Sequence, residues 1–125
     1  SRAKASRVRQ ELRQTEDARR AHVDLLVGTE ALIVGALVTH GRRCGKPNCH
    51  CAAGEKHFSR ALSRSEGGKT RHVHVPSGDE VDVAAKAERY RRFREARVEL
   101  VKLSAQTSQL VDVLQEALAE PYPPP

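Results

Sequence analysis

The 125-residue sequence has no tryptophan and no methionine, and only two tyrosines and two phenylalanines. A globular core of this chain length normally contains more large side chains, so the composition disfavours a compact globule. Charged residues make up 30% of the chain, and the apolar residues are mostly alanine, valine and leucine. This combination favours elongated helices.

Long hydrophobic runs are also missing. The richest apolar run, 32–38, is short and contains Gly35, whereas a membrane span needs about 18 consecutive apolar residues. The sequence begins with a basic, polar stretch that has no hydrophobic segment behind it, unlike a secretory signal peptide. We therefore expect a cytoplasmic protein with no membrane association, where clustered thiols are more often metal ligands or redox groups than disulfides.

All three cysteines lie within eight residues, and a histidine follows them with the spacing C-x4-C-x-C-x5-H. Thiolate and imidazole are the ligands that zinc prefers in closed tetrahedral sites. The glycine and proline between Cys44 and Cys49 allow the chain to fold back around an ion. We predict a structural Zn²⁺ site formed by Cys44, Cys49, Cys51 and His57, with His50 as the main alternative for the fourth ligand.

The cluster has other interpretations besides structural zinc. Three further histidines are weaker candidates for the fourth ligand: His40, His72 and His74. A redox-active thiol cluster is one alternative, and a catalytic metal is another, but catalysis needs an open coordination position and a nearby acid or base. Only Glu55 and Glu66 are available for that role, and the chain has no phosphate-binding glycine loop. We expect a protein that is not an enzyme.

The net charge of +6 is concentrated in one part of the chain. Residues 40–78 carry eight basic and two acidic side chains, whereas the flanking segments carry net charges of +2 and −2. Such a local excess of positive charge is typical of a protein that binds a polyanion. The basic side chains predicted to contact nucleic acid are Arg42, Arg43, Lys46, Arg60, Arg64, Lys69, Arg71, Arg91 and Arg92.

The two flanks have the apolar spacing of helices. From Ala5 to Ala36, mostly small and apolar residues recur at alternating steps of three and four, which is the spacing of a coiled-coil seam, although Arg19 and His22 occupy two of the inner positions. This pattern predicts a helix from about residue 3 to about residue 39. The same alternation from Phe93 to Ala117 predicts a second helix over 79–119, which must end before Pro121.

Between the helices, residues 58–64 and 70–75 have strand patterns on either side of Gly67-Gly68, which predicts a β-hairpin. The predicted fold is therefore mainly α: a long antiparallel helical hairpin, coiled-coil-like, with a small zinc-bound head and a β-hairpin at its tip. Its parts are an N-terminal arm (1–39), the head (40–78), a C-terminal arm (79–119) and a proline-rich tail (120–125). Because small side chains make an isolated helix pair marginal, we expect a homodimer through the arms.

Several motifs resemble those of a family of small uncharacterised prokaryotic proteins. The motifs are R-C-G-K-P-N-C-H-C at 43–51, E-K-H at 55–57, G-G-K-T-R at 67–71 and Y-R-R-F at 90–93. The similarity covers about residues 35–100, and the cysteine motif is its most specific part. It implies a zinc-binding head with helical flanks, in genes often found near mobile elements, and it carries no activity. His57 matches the family pattern, but Phe58-Ser59-Arg60 stands where the family has Gly-Pro-Tyr.

Two functions are compatible with these observations. The first is a zinc-stabilised module that binds nucleic acid, with a coiled-coil arm for dimerisation. The scarcity of aromatic residues for stacking favours double-stranded DNA over single strands. The alternative is a coiled-coil adaptor whose basic zinc head docks an acidic protein partner, with the proline-rich tail available to bind in a groove.

Overall fold

The computed structural model describes residues 1–125. It contains two α-helices and three β-strands: α1 (Arg2–Leu26), β1 (Ala36–Arg42), β2 (His57–Glu66), β3 (Lys69–His74) and α2 (Glu80–Leu118). Two single-turn 3₁₀ helices, His50–Ala52 and Ser77–Asp79, precede β2 and α2. Neither long helix has an apolar stretch that could cross a membrane.

The three strands form one antiparallel sheet with β2 in the centre. Strand β1 pairs with β2 from Ala36 opposite Ser63 to Arg42 opposite His57. Strands β2 and β3 are joined by Gly67 and Gly68, which have φ values of +56° and +81°. Positive φ at both positions of a two-residue loop is the geometry of a tight hairpin turn, and glycine adopts it at little cost. We call this side of the sheet the turn end and the opposite side, where residues 43–56 join β1 to β2, the loop end.

One face of the sheet is covered by the beginning of α2. Leu37, Leu62 and Val73 lie opposite one another on the three strands. The buried side chains of Leu62, Val75 and Ala87 form a small core on this face. Burial of these apolar groups is the main hydrophobic contribution to this part of the molecule.

The segment that precedes β1 is tied to α2 by polar contacts. The Ile33 N–H donates to the Lys86 carbonyl at 3.1 Å. The Arg89 guanidinium donates to the Ala31 carbonyl at 3.0 Å and lies 2.8 Å from a carboxylate oxygen of Glu30. The sheet, its loops and the start of α2 therefore form one compact unit, residues 30–92.

The other compact unit consists of residues 1–29 and 93–125. The Ser1 hydroxyl caps α1 by accepting from the Lys4 N–H at 3.3 Å. Ala5, Val8 and Thr15 are buried on α1, and Ala96 is buried on the second helix of this unit. These residues all belong to the predicted seams, so the three-four spacing did identify the protected faces of the helices.

The predicted fold class is wrong. The molecule is not a long helical hairpin with a β-hairpin at its tip; it has two helices and a three-stranded sheet, with helix packed on sheet. The first helix ends at Leu26, and residues 36–42, which were predicted to be helical or to begin the head, form β1. The predicted hairpin exists, but it is two thirds of a larger sheet.

The cause of the error lies in residues 28–39. Gly28 and Gly35 interrupt the helical pattern, and Gly35 has a φ of +137° that L side chains rarely adopt. A Cβ atom at Gly35 would also lie 2.8 Å from the Ser63 carbonyl oxygen. The residues around it are rich in β-branched side chains, which favour strands. The second helix, predicted over 79–119, is confirmed as Glu80–Leu118.

Candidate metal centre and basic surface

The predicted metal ligands lie in the loop of residues 43–56, here called the metal loop, and at its boundary with β2. The pairing of Arg42 with His57 fixes the two ends of the loop next to each other. Within it, Gly45 has a φ of +82°, and the Cys49 N–H donates to the Lys46 carbonyl at 3.2 Å to close a turn. A 3₁₀ turn follows, so the chain reverses direction repeatedly around one point.

Four side chains converge at that point. The ligand atoms of Cys44, Cys49, Cys51 and His57 all lie within 4.8 Å of one another. The Cys44 and Cys51 sulfurs are 3.5 Å apart, and the Cys49 sulfur is 3.0 Å from His57 Nε2. Sulfurs bound to one tetrahedral zinc ion at about 2.3 Å would be separated by ~3.8 Å. The cluster therefore has the composition and the size of a tetrahedral metal site.

The structure distinguishes between the candidate histidines. His57 belongs to the converging group, whereas His50 Nδ1 is 3.9 Å from the Cys49 sulfur. The His50 ring lies edge-on to the His57 ring, with centroids 5.2 Å apart. His40 and His72 stack on each other on the sheet, with centroids 4.4 Å apart, and are not part of the group. The four residues predicted as ligands are thus the four that the structure brings together.

The thiols differ in their readiness to bind a metal. Hydrogen bonds lower the pKa of Cys44 from 9.0 to about 6. The bond from the Lys46 backbone has the largest effect, and the bond from Cys51 has the next largest. The Cys44 N–H, 3.4 Å from the Cys51 sulfur, lowers the pKa of Cys51, but burial and the neighbouring thiols outweigh it and raise that pKa above 9.0. Metal binding requires thiolates, so an ion must displace the Cys51 proton, and binding should strengthen as the pH rises.

The inner and outer parts of the metal loop differ in burial and in their internal hydrogen bonds. Cys51 is only 1% exposed, whereas Cys44 is exposed. The Arg43 guanidinium donates to the Gly54 carbonyl at 3.2 Å, across the base of the loop. Arg43 therefore has a structural contact of its own in addition to its predicted role in nucleic-acid binding.

The structure divides the predicted basic residues between the two ends of the sheet. At the loop end, Arg42, Lys46 and Lys56 have no side-chain hydrogen bond or ion pair. At the turn end, Arg64 and Arg71 both pair with Glu66, at 2.8 and 3.2 Å. Both contacts lower the pKa of the Glu66 carboxyl, and the hydrogen bond from Arg71 has the largest effect.

Three of the remaining predicted residues are also held by internal contacts, whereas Lys69, at the turn end, has no side-chain hydrogen bond or ion pair. Arg91 and Arg92 on α2 both lie against Glu88, and they lower the pKa of that carboxyl to about 2, Arg91 having the larger effect. The Arg60 guanidinium donates to the Thr39 hydroxyl at 3.2 Å. The nine predicted residues therefore do not form one surface. At the turn end only Lys69 lacks a partner, whereas at the loop end both Arg42 and Lys46 do.

Lys56 is a loop-end cation that the sequence-based set left out. The sequence could have identified Lys56, because it directly precedes His57, the predicted fourth ligand. Phe58, on the other side of His57, is also exposed at this end.

The profile of a domain of unknown function, DUF6788, matches residues 7–85. The match covers more than half of the chain and includes the whole sheet and all four converging side chains. No curated protein and no solved structure matches the chain significantly. The chain belongs to the DUF6788 family.

Proposed function

We propose that this member of the DUF6788 family is a zinc-stabilised module that binds nucleic acid, double-stranded DNA above all, through the loop end of its sheet. One observation carries the proposal: the Cys₃His cluster lies in the segment that holds the positive excess, next to cations without acidic partners. Metal ligands would fix the loop, and the loop would present the cations.

Zinc is the proposed ion because of the donor set. Three thiols and an imidazole suit zinc, whereas magnesium and calcium prefer oxygen ligands. A closed set of four protein ligands is typical of a structural site rather than a catalytic one. The metal loop has almost no apolar core of its own, so the free energy of metal binding would provide much of the free energy that folds it.

The proposed contacts are with phosphates. Arg42, Lys46 and Lys56 can each neutralise a phosphate without first breaking an internal ion pair. Every phosphate neutralised on duplex DNA releases counterions and adds about 0.9 to the slope of log K against log salt. Contacts of this type position a protein on DNA without reading its sequence. The proposal is therefore of a binding module whose affinity is mainly electrostatic.

The experiment is a fluorescence-anisotropy titration of labelled duplex DNA with zinc-loaded protein at several salt concentrations. We expect affinity that falls steeply with salt and that a strong chelator abolishes. Metal content measured on the same samples connects the two effects. Absence of binding at low salt by protein that retains one zinc per chain would contradict the proposal.

A second candidate, the protein-interaction adaptor, is favoured by apolar residues in the helical unit. On α2, Val98 and Val101 are 53% and 66% exposed, and Val111 and Leu118 are about half exposed. Exposed apolar side chains of this kind suit contact with another helix, either of a second copy or of a partner protein. Light scattering would show whether the protein dimerises and whether V98S with V101S makes it monomeric. A dimer that binds no DNA would support the adaptor.

A further inference from the structure

Phe58 is an exposed aromatic residue in a chain that has few of them. Its side chain is 63% exposed, and it directly follows the ligand His57 near the start of β2. Aromatic side chains favour strands because they pack against cross-strand neighbours, but most of this ring is in solvent. A large ring at this position leaves apolar surface for a ligand to cover.

The ring is held against the backbone of the neighbouring strand. Phe58 lies opposite Gly41 in the β1–β2 pairing. A Cβ atom at Gly41 would be 2.6 Å from Cε1 of Phe58 and 3.0 Å from Cδ1, so a side chain at position 41 would displace the ring. The ring therefore rests on the sheet, and its outer side is open to solvent.

Charge around the ring favours an anionic ligand. Lys56 and Arg60 lie two residues on either side of Phe58, and Arg60 shares its face of β2 because side chains alternate along a strand. Neither Lys56 nor Arg60 has an acidic partner. Glu55 is the one acidic residue of the metal loop. An aromatic face beside cations that have no acidic partner matches a nucleotide, in which a flat base and a phosphate are joined by a sugar.

The orientation of the ring indicates which bases it can reach. Inside a duplex both faces of each base are covered by neighbouring base pairs, and a ring lying on a sheet is not a wedge that could enter the stack. A base in a single-stranded gap or overhang has an accessible face. We propose that Phe58 stacks on an unpaired base, so that the ligand is DNA with a single-stranded segment adjoining the duplex. This inference rests on the proposed function and specifies its substrate.

The test compares two DNA ligands with the same number of phosphates, one fully paired and one with a short single-stranded overhang containing 2-aminopurine. Stacking on an aromatic residue changes affinity by roughly tenfold per base. We expect zinc-loaded protein to prefer the overhang by about that factor and to quench the 2-aminopurine fluorescence. Phe58→Leu keeps an apolar side chain without an aromatic face, and should lose the preference and the quenching while binding the paired duplex unchanged.

Two further variants separate stacking from folding. Phe58→Trp should restore both signals, and Gly41→Ala should weaken both because it displaces the ring. Zinc content identical to wild type would show that the metal loop is intact in each variant. Equal binding of the two DNAs by wild type, or an unchanged preference in Phe58→Leu, would overturn this inference and leave the proposed function standing. Failure to bind either DNA would overturn both.

Discussion

The two ends of the sheet carry similar numbers of basic residues but hold them in different ways. At the turn end, Glu66 lies between Arg64 and Arg71 and neutralises part of their charge. At the loop end, Arg42 and Lys46 have no such partner. Positive charge counted along a sequence therefore overestimates the charge that a ligand meets, because internal acids lower it locally.

The two ends also differ in what stabilises them. The middle of the sheet packs Leu62 against Val75 and Ala87, so hydrophobic burial supports its strands. The metal loop contributes one fully buried side chain, Cys51, and that side chain is a metal ligand rather than a packing residue. Loss of metal should affect the loop end far more than the turn end.

Removing a buried ligand should produce the largest effect. We expect Cys51→Ser to abolish stoichiometric zinc binding, because a hydroxyl is a poor replacement for a thiolate in a closed site. Metal analysis measures the loss, and hydrogen exchange should rise in residues 43–56 but not in β3. As a matched control, His50→Gln, which alters a neighbouring residue outside the converging group, should keep one zinc per chain. Retention of zinc by Cys51→Ser would exclude the proposed ligand set.

A substitution in the hydrophobic core should lower the stability of the protein but leave zinc binding unchanged. Leu62 is 6% exposed, and Leu62→Ala should destabilise the protein by about 2–5 kcal/mol through lost burial and a residual cavity. Chemical denaturation measures the change, and zinc stoichiometry under native conditions should stay the same. Val81→Ala, at a fully exposed position, is the control and should change stability by less than about 0.5 kcal/mol. Zinc loss from folded Leu62→Ala would show that the two ends depend on each other.

Within the loop end, the two thiols should differ in reactivity in metal-free protein. The depressed pKa of Cys44, about 6, makes it mostly thiolate at pH 7, whereas the raised pKa of Cys51 keeps that thiol protonated. Because the thiolate is the nucleophile, iodoacetamide should modify Cys44 at least about tenfold faster. The Cys44 rate should fall as the pH drops through 6. Peptide mass spectrometry resolves the sites, and zinc should protect both; equal rates would contradict the assignment.

Neutralising Glu66 should have the smallest effect on stability. Exposed ion pairs contribute about 0–1 kcal/mol, so Glu66→Gln should leave the unfolding midpoint nearly unchanged. The substitution releases Arg64 and Arg71, which should raise affinity for duplex DNA by a few-fold at low salt. If affinity does not rise, the turn end does not contact DNA. The two ends would then differ in DNA binding for a reason other than the pairing of Arg64 and Arg71 with Glu66.

The metal ligands and the second helix could be predicted from sequence because the information is local. Cys44, Cys49, Cys51 and His57 occupy fourteen consecutive residues, and their chemistry restricts what they can do together. The bounds of α2 follow from its apolar spacing and from Pro121. Both signals are independent of the rest of the fold.

Strand β1 and the Arg71–Glu66 pair could not be predicted because they depend on how the strands pair. Residues 36–42 become a strand by pairing with β2, which lies beyond the metal loop, and Gly35 matters because Ser63 approaches it. The three-four apolar spacing of α1 continues into this segment and therefore predicted a helix there instead of a strand. Glu66 could be recognised as a partner of Arg71 only once the strands had been paired.

The most direct test of DNA binding by the loop end uses two double variants that each remove two positive charges. R42Q with K46Q removes two cations from the loop end, and R64Q with R71Q removes two from the turn end. Zinc-loaded proteins are titrated against one duplex over a series of salt concentrations. We predict that the loop-end pair lowers affinity at least about tenfold and reduces the salt slope by about 2, while the turn-end pair changes affinity less than about threefold. Equal losses from both pairs, or a larger loss from the turn-end pair, would contradict the assignment of DNA binding to the loop end.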